Sequence, residues 1–218
     1  MSTPGAAGSI RAVISDFGGV LTSPLLDAFS SIQDSSGISV EELGMATFAL
    51  AGRLGVNPLI ELETGRMSEP DFLEALGTQL SEQLGRTVHM HGFGEAYFES
   101  LNANQPMIDY MRELRGRGYR MAICTNNVRE WEQRWRSMLP VDEIFDVVVD
   151  SAFVGSRKPE PEIYRLTLDR LDLPAEACLF VDDIDVNCDG ARQAGMRTVH
   201  FRETGQAIRE IEAALNGA

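Results

Sequence analysis

Lysine is almost missing from this chain: of its 19 Lys and Arg residues, only Lys158 is a lysine. Arginine is a planar fork suited to bidentate pairing, whereas lysine is a compact point charge on a flexible stem. A sequence that writes arginine everywhere else places an ammonium in Ser156-Arg157-Lys158-Pro159-Glu160-Pro161-Glu162, where the prolines announce the start of a helix. Alone, one lysine is compatible with a solvated surface position. Asp16, Thr125 and the pair Asp182-Asp183 elsewhere along the chain give it weight.

Other shortages narrow the field. Basic runs are absent, and 33 acidic residues against 19 basic ones give a formal net charge of -14. An acidic surface repels phosphate backbones and anionic headgroups, so neither nucleic acid nor a membrane is an expected partner. A small phosphorylated metabolite stays open, because a bound cation offsets its charge locally. Cysteine is scarce too: Cys124, Cys178 and Cys188 lack metal-ligand spacing, and the first two sit inside apolar runs as small hydrophobes. No apolar stretch approaches membrane-spanning length, and residues 1–8 show no charged region followed by an apolar one. These absences lead us to expect a soluble, cytoplasmic protein. They leave monomer and homodimer equally open.

What is present is a chain with 44% hydrophobic residues, enough to bury a full core. Ala12-Val13-Ile14-Ser15-Asp16 is a short apolar run ending on an acid before Gly18-Gly19. Met121-Ala122-Ile123-Cys124-Thr125 repeats the form before Asn126-Asn127, and Phe145-Asp146-Val147-Val148-Val149-Asp150 is a third run. Cys178-Leu179-Phe180-Val181 ends on Asp182-Asp183, and Thr198-Val199-His200-Phe201 is the last. Runs apolar at successive positions suit strands buried on both faces of a parallel sheet.

Helical patterns lie between them: Met107, Ile108, Met111 and Leu114; Ile163, Leu166, Thr167 and Leu171; Ala207, Ile208, Ile211 and Leu215. Alternating strands and helices predict a doubly wound, Rossmann-like parallel α/β core. Between the first two strands the rhythm breaks into helical patterns alone. Ser68 reads there as an N-cap, followed by Pro70, Phe72, Leu73, Leu76, Leu80 and Leu84. We expect an inserted helical cap over residues 24–104, and a core made of residues 1–23 and 105–218.

Ligands of open α/β sheets bind outside the carboxyl ends of the strands. That rule gathers Asp16, Thr125, Asp182 and Asp183 at one rim, with Lys158 able to point into it. Three carboxylates close together cannot all be ionised without a cation. A Mg²⁺ held by one or two carboxylates, waters and a substrate phosphate fits the inventory. Thr125 and backbone N–H groups of the Gly and Asn turns would hold phosphoryl oxygens, leaving one aspartate to attack.

The four segments Val13–Thr22, Ile123–Asn127, Lys158–Tyr164 and Phe180–Ala191, in that order, resemble the four motifs of the haloacid dehalogenase-like hydrolase superfamily. The resemblance covers nearly the whole chain, and the insertion is similar to the family's helical type 1 cap. The wording is closest to the branch of the α-D-glucose-1-phosphate phosphatases and the phosphatase domain of soluble epoxide hydrolases. It implies a Mg²⁺-dependent phosphomonoesterase acting through an aspartyl-phosphate. Asp16 would be nucleophile and metal ligand, Asp183 a direct ligand, and Asp182 a direct or water-mediated one. Thr125 and Asn126 would bind the phosphoryl group, helped by backbone groups of Gly18, Gly19 and Asn127. Lys158 would orient Asp16, Gly18 would lend its carbonyl to the metal, and Asn187 would support the site.

One departure stands out. Many phosphatases of this superfamily carry a second aspartate two positions after the nucleophile, as general acid and base; here that position is Gly18. Two rivals therefore stay open: a metal-free 2-haloacid dehalogenase, and a phosphometabolite-binding regulator with negligible turnover. The remaining candidates read as packing or solvated groups. His89 and His91 are read as cap histidines before metal ligands, and Trp131 and Trp135 as a helix face before a pocket wall. Arg53, Glu61, Glu63 and Arg66 are read as mostly solvated cap charges, of which one or two could face a substrate.

Overall fold

A computed structural model describes residues 9–24, 33 and 37–217. The opening segment 1–8, residues 25–32 and 34–36 of the expected cap, and residue 218 lie outside the described set. The chain runs from β1 (Ala12–Ser15) into the helices α1 (Val40–Leu54), α2 (Pro58–Glu63), α3 (Glu69–Leu84) and α4 (Phe93–Ser100). It returns through α5 (Gln105–Gly116) to β2 (Arg120–Thr125), the short helices α6 (Glu132–Ser137) and α7 (Val141–Ile144), and β3 (Val147–Asp150). Then follow α8 (Ser151–Val154), α9 (Pro161–Leu171), β4 (Cys178–Asp182), α10 (Asp185–Gln193), β5 (Arg197–His200) and α11 (Thr204–Leu215).

The five strands form one parallel sheet in the order β3-β2-β1-β4-β5. Strand order reverses at β1, which is where doubly wound sheets open a crevice at their carboxyl edge. Both faces are covered, which explains the unbroken apolar runs. Val13, Met121, Ile123, Leu179 and Val181 pack with α5 and α11 on one face. Ala12, Ile14, Ala122, Cys124 and Phe180 pack with α9 and α10 on the other. Each fully buried Val, Leu, Ile, Phe or Met among them contributes about 1.5–3 kcal/mol. All three cysteines are buried and unpaired.

The inserted segment is a helical cap, and it has its own core. Leu43, Ala46, Leu62, Phe72, Leu76, Leu80, Val88 and Met90 cluster there, joined by Val128 from the loop after β2. Ser39 and Glu42 form a capping box on α1, and Ser68 caps α3 by accepting from the Asp71 N–H. The two connections between cap and core run side by side. Thr22 bridges Ala103 antiparallel, the Ser23 N–H donates to the Asn102 carbonyl (2.7 Å), and the Asn104 amide side chain donates to the Val20 carbonyl (2.8 Å).

One local expectation is corrected. Lys158 does not open a helix; α9 starts at Pro161 with Glu160 as N-cap. The Glu160 carboxylate accepts from the Ser156 hydroxyl (2.9 Å) and the Arg157 N–H (3.2 Å), folding the segment into a tight turn ahead of the helix. That turn presents Lys158 inward.

Candidate active site

The Asp16 N–H donates to the Val181 carbonyl (2.8 Å), which sets Asp16 beside Asp182 at the ends of β1 and β4. Lys158 Nζ lies 2.8 Å from Asp16 Oδ1 and 2.6 Å from Asp182 Oδ2. The ammonium is only 1% exposed and Asp182 not at all. An ion taken out of water costs several kcal/mol unless it is paired and hydrogen-bonded, so this triad is either satisfied or ruinous. It is satisfied. Asp182 Oδ1 also accepts from the Ile184 N–H (2.9 Å) and from Asn187 Nδ2 (3.0 Å), so Asn187 on α10 braces it.

Asp183 is different. Its Oδ1 is buried without any hydrogen-bond partner. Oxygens of Asp16, Asp182 and Asp183 lie within 4.8 Å of one another. Burial pushes the Asp16 carboxyl up to about 7; Asp182 and Asp183 add to the rise and Lys158 opposes it. Burial and the neighbouring Asp182 raise Asp183 too. Burial disfavours the charge on Lys158, but Asp16 and Asp182 outweigh it and hold that pKa above its ordinary value. The cluster carries more negative charge than one ammonium neutralises. An orphaned buried oxygen and an all-oxygen donor set suit a hard divalent cation, so the residues present fit Mg²⁺.

Gly19 closes this side of the site. Its φ of 79° is left-handed, and a Cβ there would lie 2.3 Å from Asp183 Oδ2. Gly19→Ala should therefore displace the Asp183 carboxylate and weaken divalent-cation binding at least tenfold, read by calorimetric titration with Mg²⁺. Unchanged affinity would mean that Asp183 does not hold the ion. Gly18 is absent from the positive-φ glycines of the described residues, so its φ does not oppose a side chain.

The loop after β2 differs in detail from expectation. Thr125 is buried at the strand end, with its hydroxyl 3.4 Å from the Asn126 carbonyl. Asn126 uses its side chain on Lys158: Nδ2 donates to the Lys158 carbonyl (3.0 Å) and Oδ1 accepts from the Lys158 N–H (2.8 Å). Asn126 is thus a clamp on the lysine backbone, with its second side-chain N–H not used by that pairing. The Asn127 N–H is taken by Ser151 Oγ (3.0 Å) and its Oδ1 by the Val128 N–H (2.9 Å); the Gly19 N–H donates to Thr22 Oγ1 (3.0 Å).

The cap supplies residues that sequence reasoning undervalued. Glu63, expected to be mostly solvated, is largely buried against Arg157, with Oε2 at 2.6 Å from Nε. Its carbonyl accepts from Ser151 Oγ (2.5 Å). Tyr97 stacks on Trp131 at 4.9 Å, and Trp131 Nε1 donates to Glu69 across the cap–core boundary (2.8 Å). Trp131 is thus an interface residue, whereas Trp135 is buried in the core against Phe17. Glu61 pairs with Arg66 and Arg53 with the exposed Glu82. His89 and His91 line a cap cleft of about 770 Å³ away from the acidic cluster. Among the described residues they belong to no group of three possible metal ligands. The signal for Glu63 was the Thr64-Gly65 turn that follows it: Gly65 has φ 68°, and a Cβ there would meet the Ala152 carbonyl at 2.3 Å.

The family model "haloacid dehalogenase-like hydrolase" matches residues 10–195. A phosphatase of Mycobacterium tuberculosis is 30% identical, the match covering 96% of this chain and 99% of that protein. The chain spans only about a fifth of the length of three mammalian relatives that it matches at 33–34% identity. Among solved structures, a haloacid dehalogenase family enzyme of Bacteroides thetaiotaomicron in complex with magnesium and inorganic phosphate superposes with TM-score 0.65. It is 21% identical, covering 88% of this chain and 94% of that one. The L-2-haloacid dehalogenase of Xanthobacter autotrophicus follows at TM-score 0.64 and 19% identity, covering 94% and 83%. At these identities the two structures speak to the fold alone.

Proposed function

The chain belongs to the haloacid dehalogenase-like hydrolase family, and we propose that it is a Mg²⁺-dependent phosphomonoesterase for a small phosphorylated metabolite, working through an aspartyl-phosphate. The observation that carries the reading is Asp16 at the end of β1, held by Lys158 Nζ at 2.8 Å and sharing a cluster with Asp182 and the unpartnered Asp183 oxygen. The relative from Mycobacterium tuberculosis, a phosphatase along nearly its whole length, supports it.

In this reading Asp16 attacks phosphorus, forming an aspartyl O–P bond as the ester P–O bond breaks, and water then cleaves the acyl phosphate. Lys158 favours the ionised form of Asp16 against the effect of burial and offsets charge on the phosphoryl oxygens. Asn126 fixes the Lys158 backbone, and Asn187 fixes Asp182. The Thr125 hydroxyl, at the end of the neighbouring strand, donates to a phosphoryl oxygen. Asp16, Asp183 and the Gly18 carbonyl would hold Mg²⁺, with Asp182 acting directly or through water; the ion supplies charge neutralisation. The cap, taken as residues 24–104 on the paired connections at Thr22 and Ala103, closes over a core of 1–23 and 105–218 and excludes water.

The dehalogenase reading gives the buried Asp183 oxygen nothing to do. A one-pot assay separates the two: phosphate released from a phosphometabolite panel with Mg²⁺ supports the proposal, and chloride released from 2-chloropropionate in chelator overturns it. Binding is read independently of turnover. Saturation with Mg²⁺ at 100 times its dissociation constant should stabilise the fold by about 2.7 kcal/mol. Asp183→Ala should lose that thermal shift and suppress activity, while a shift that survives would place the ion elsewhere.

A further inference from the structure

We propose that Glu63, at the C-terminal end of the cap helix α2, is the proton-transfer group of this reaction, in place of the carboxylate that position 18 lacks. The inference rests on the phosphatase reading and deepens it. Placement is the first ground. Ser151 Oγ donates to the Glu63 carbonyl (2.5 Å) and accepts from the Asn127 N–H (3.0 Å), tying Glu63 to the loop that follows Thr125. Its side chain meets Arg157, the residue before Lys158. Gly65, packed on the Ala152 carbonyl, wedges the same cap turn onto the core. A cap residue is thus tied by its backbone to Ser151 and by its carboxylate to Arg157, next to Lys158.

The second ground is its chemical state. Glu63 Oε2 is buried and lies 2.6 Å from Arg157 Nε. Burial raises its pKa, with Arg157 and Lys158 opposing the rise. A carboxylic acid moved toward neutrality is the useful kind of catalyst, since proton transfer works best near the operating pH. Tyr97 is a cap residue whose surroundings include Asp16, Glu63 and Asp183, but burial drives its phenol well above the usual range. It can orient a leaving group without giving up its proton.

The step balances. Asp16 attacks phosphorus, the P–O bond to the leaving group breaks with its electron pair on oxygen, and protonated Glu63 gives that oxygen its proton. Products are the alcohol, the aspartyl-phosphate and the Glu63 carboxylate. Water next attacks phosphorus and passes a proton to Glu63, the aspartyl O–P bond breaks, and Asp16, hydrogen phosphate and protonated Glu63 are restored.

The experiment measures kcat/KM with Mg²⁺ for p-nitrophenyl, phenyl and ethyl phosphate, using the natural chain, Glu63→Gln, Tyr97→Phe and the double variant Glu63→Gln/Gly18→Asp. Glu63→Gln should cost about 10²–10⁴ on ethyl phosphate and far less on p-nitrophenyl phosphate, so that the dependence on leaving-group pKa steepens. Aspartate at position 18 should restore at least tenfold of the ethyl phosphate loss, a rescue that a merely structural role would not give. Glu63→Asp, which keeps the buried charge, should fall between the two; it serves as the test if the glutamine variant melts early. Equal losses across the series, no loss, or steepening by Tyr97→Phe instead would overturn the assignment to Glu63. A natural chain that releases no phosphate from any of the three would sink the phosphatase reading itself, and the proposal with it.

Discussion

Asp16→Asn is expected to abolish phosphate release while leaving the protein folded. The loss should be about 10⁴-fold or more, the scale on which removing one member of a catalytic unit is felt. An amide is nearly isosteric with the carboxylate, and its oxygen can still accept from the Phe17 N–H, which now donates to Asp16 Oδ1 at 2.7 Å. Stability should not fall, and the sign follows from linkage. The folded-state pKa of Asp16 is raised to about 7, so the protonated form is the one the fold favours. The stabilisation linked to that proton is full at acidic pH and is lost as pH rises through about 7. At pH 8 without Mg²⁺ the ionised carboxylate is therefore a burden that asparagine removes, and the variant should melt no lower than the natural chain. With saturating Mg²⁺ the order should reverse, because the natural carboxylate gains a cation and the amide gains much less. A variant retaining a tenth of the activity would take Asp16 out of the nucleophile's role.

Most of the core was legible because one physical signal governs it. Parallel strands covered on both faces need apolar residues at successive positions, and each of the five such runs in the sequence became a strand within one or two residues. Chemistry-bearing residues at strand ends were legible for the same reason: the fold rule puts carboxyl ends at one edge, where Asp16, Asp182 and Lys158 meet. The cap was legible only as helices. Helical periodicity tells which face of α3 is apolar, and Phe72, Leu76 and Leu80 are indeed buried, but it does not tell which cap residue leans on the core.

That limit explains which contacts the sequence hid. Glu63 looks like any charge at the end of a short helix until the Gly65 turn is seen packed on Ala152. Asn126 follows a strand end and so looks free to meet a ligand. Its side chain also pairs with the backbone of Lys158, 32 residues away, and no local pattern predicts that pairing. The same holds for Lys158 itself, whose inward turn is built by the Glu160 carboxylate rather than by a helix start.

Lys158 gives the sharpest test of what kind of cation the site needs. Lys158→Ala leaves Asp16 and Asp182 buried without their shared partner, a change that typically costs about 3–5 kcal/mol of stability, roughly a fifth or more of what an ordinary domain has. Activity should fall at the same time by about 10²–10³, the cost of removing one preorganised charge from a transition state. Arginine restores the charge but not the arrangement. One nitrogen sits at 2.8 Å and 2.6 Å from two carboxylates in a fully enclosed space, with the Phe180 ring 5.7 Å away. A guanidinium spreads its charge over three nitrogens in a plane, and forcing the larger group into a packed interior costs roughly 1–3 kcal/mol. Lys158→Arg should therefore recover part of the melting temperature lost by the alanine variant and little of its kcat/KM. Full activity in the arginine variant would show that any cation serves, and that the single lysine of the chain carries no special meaning.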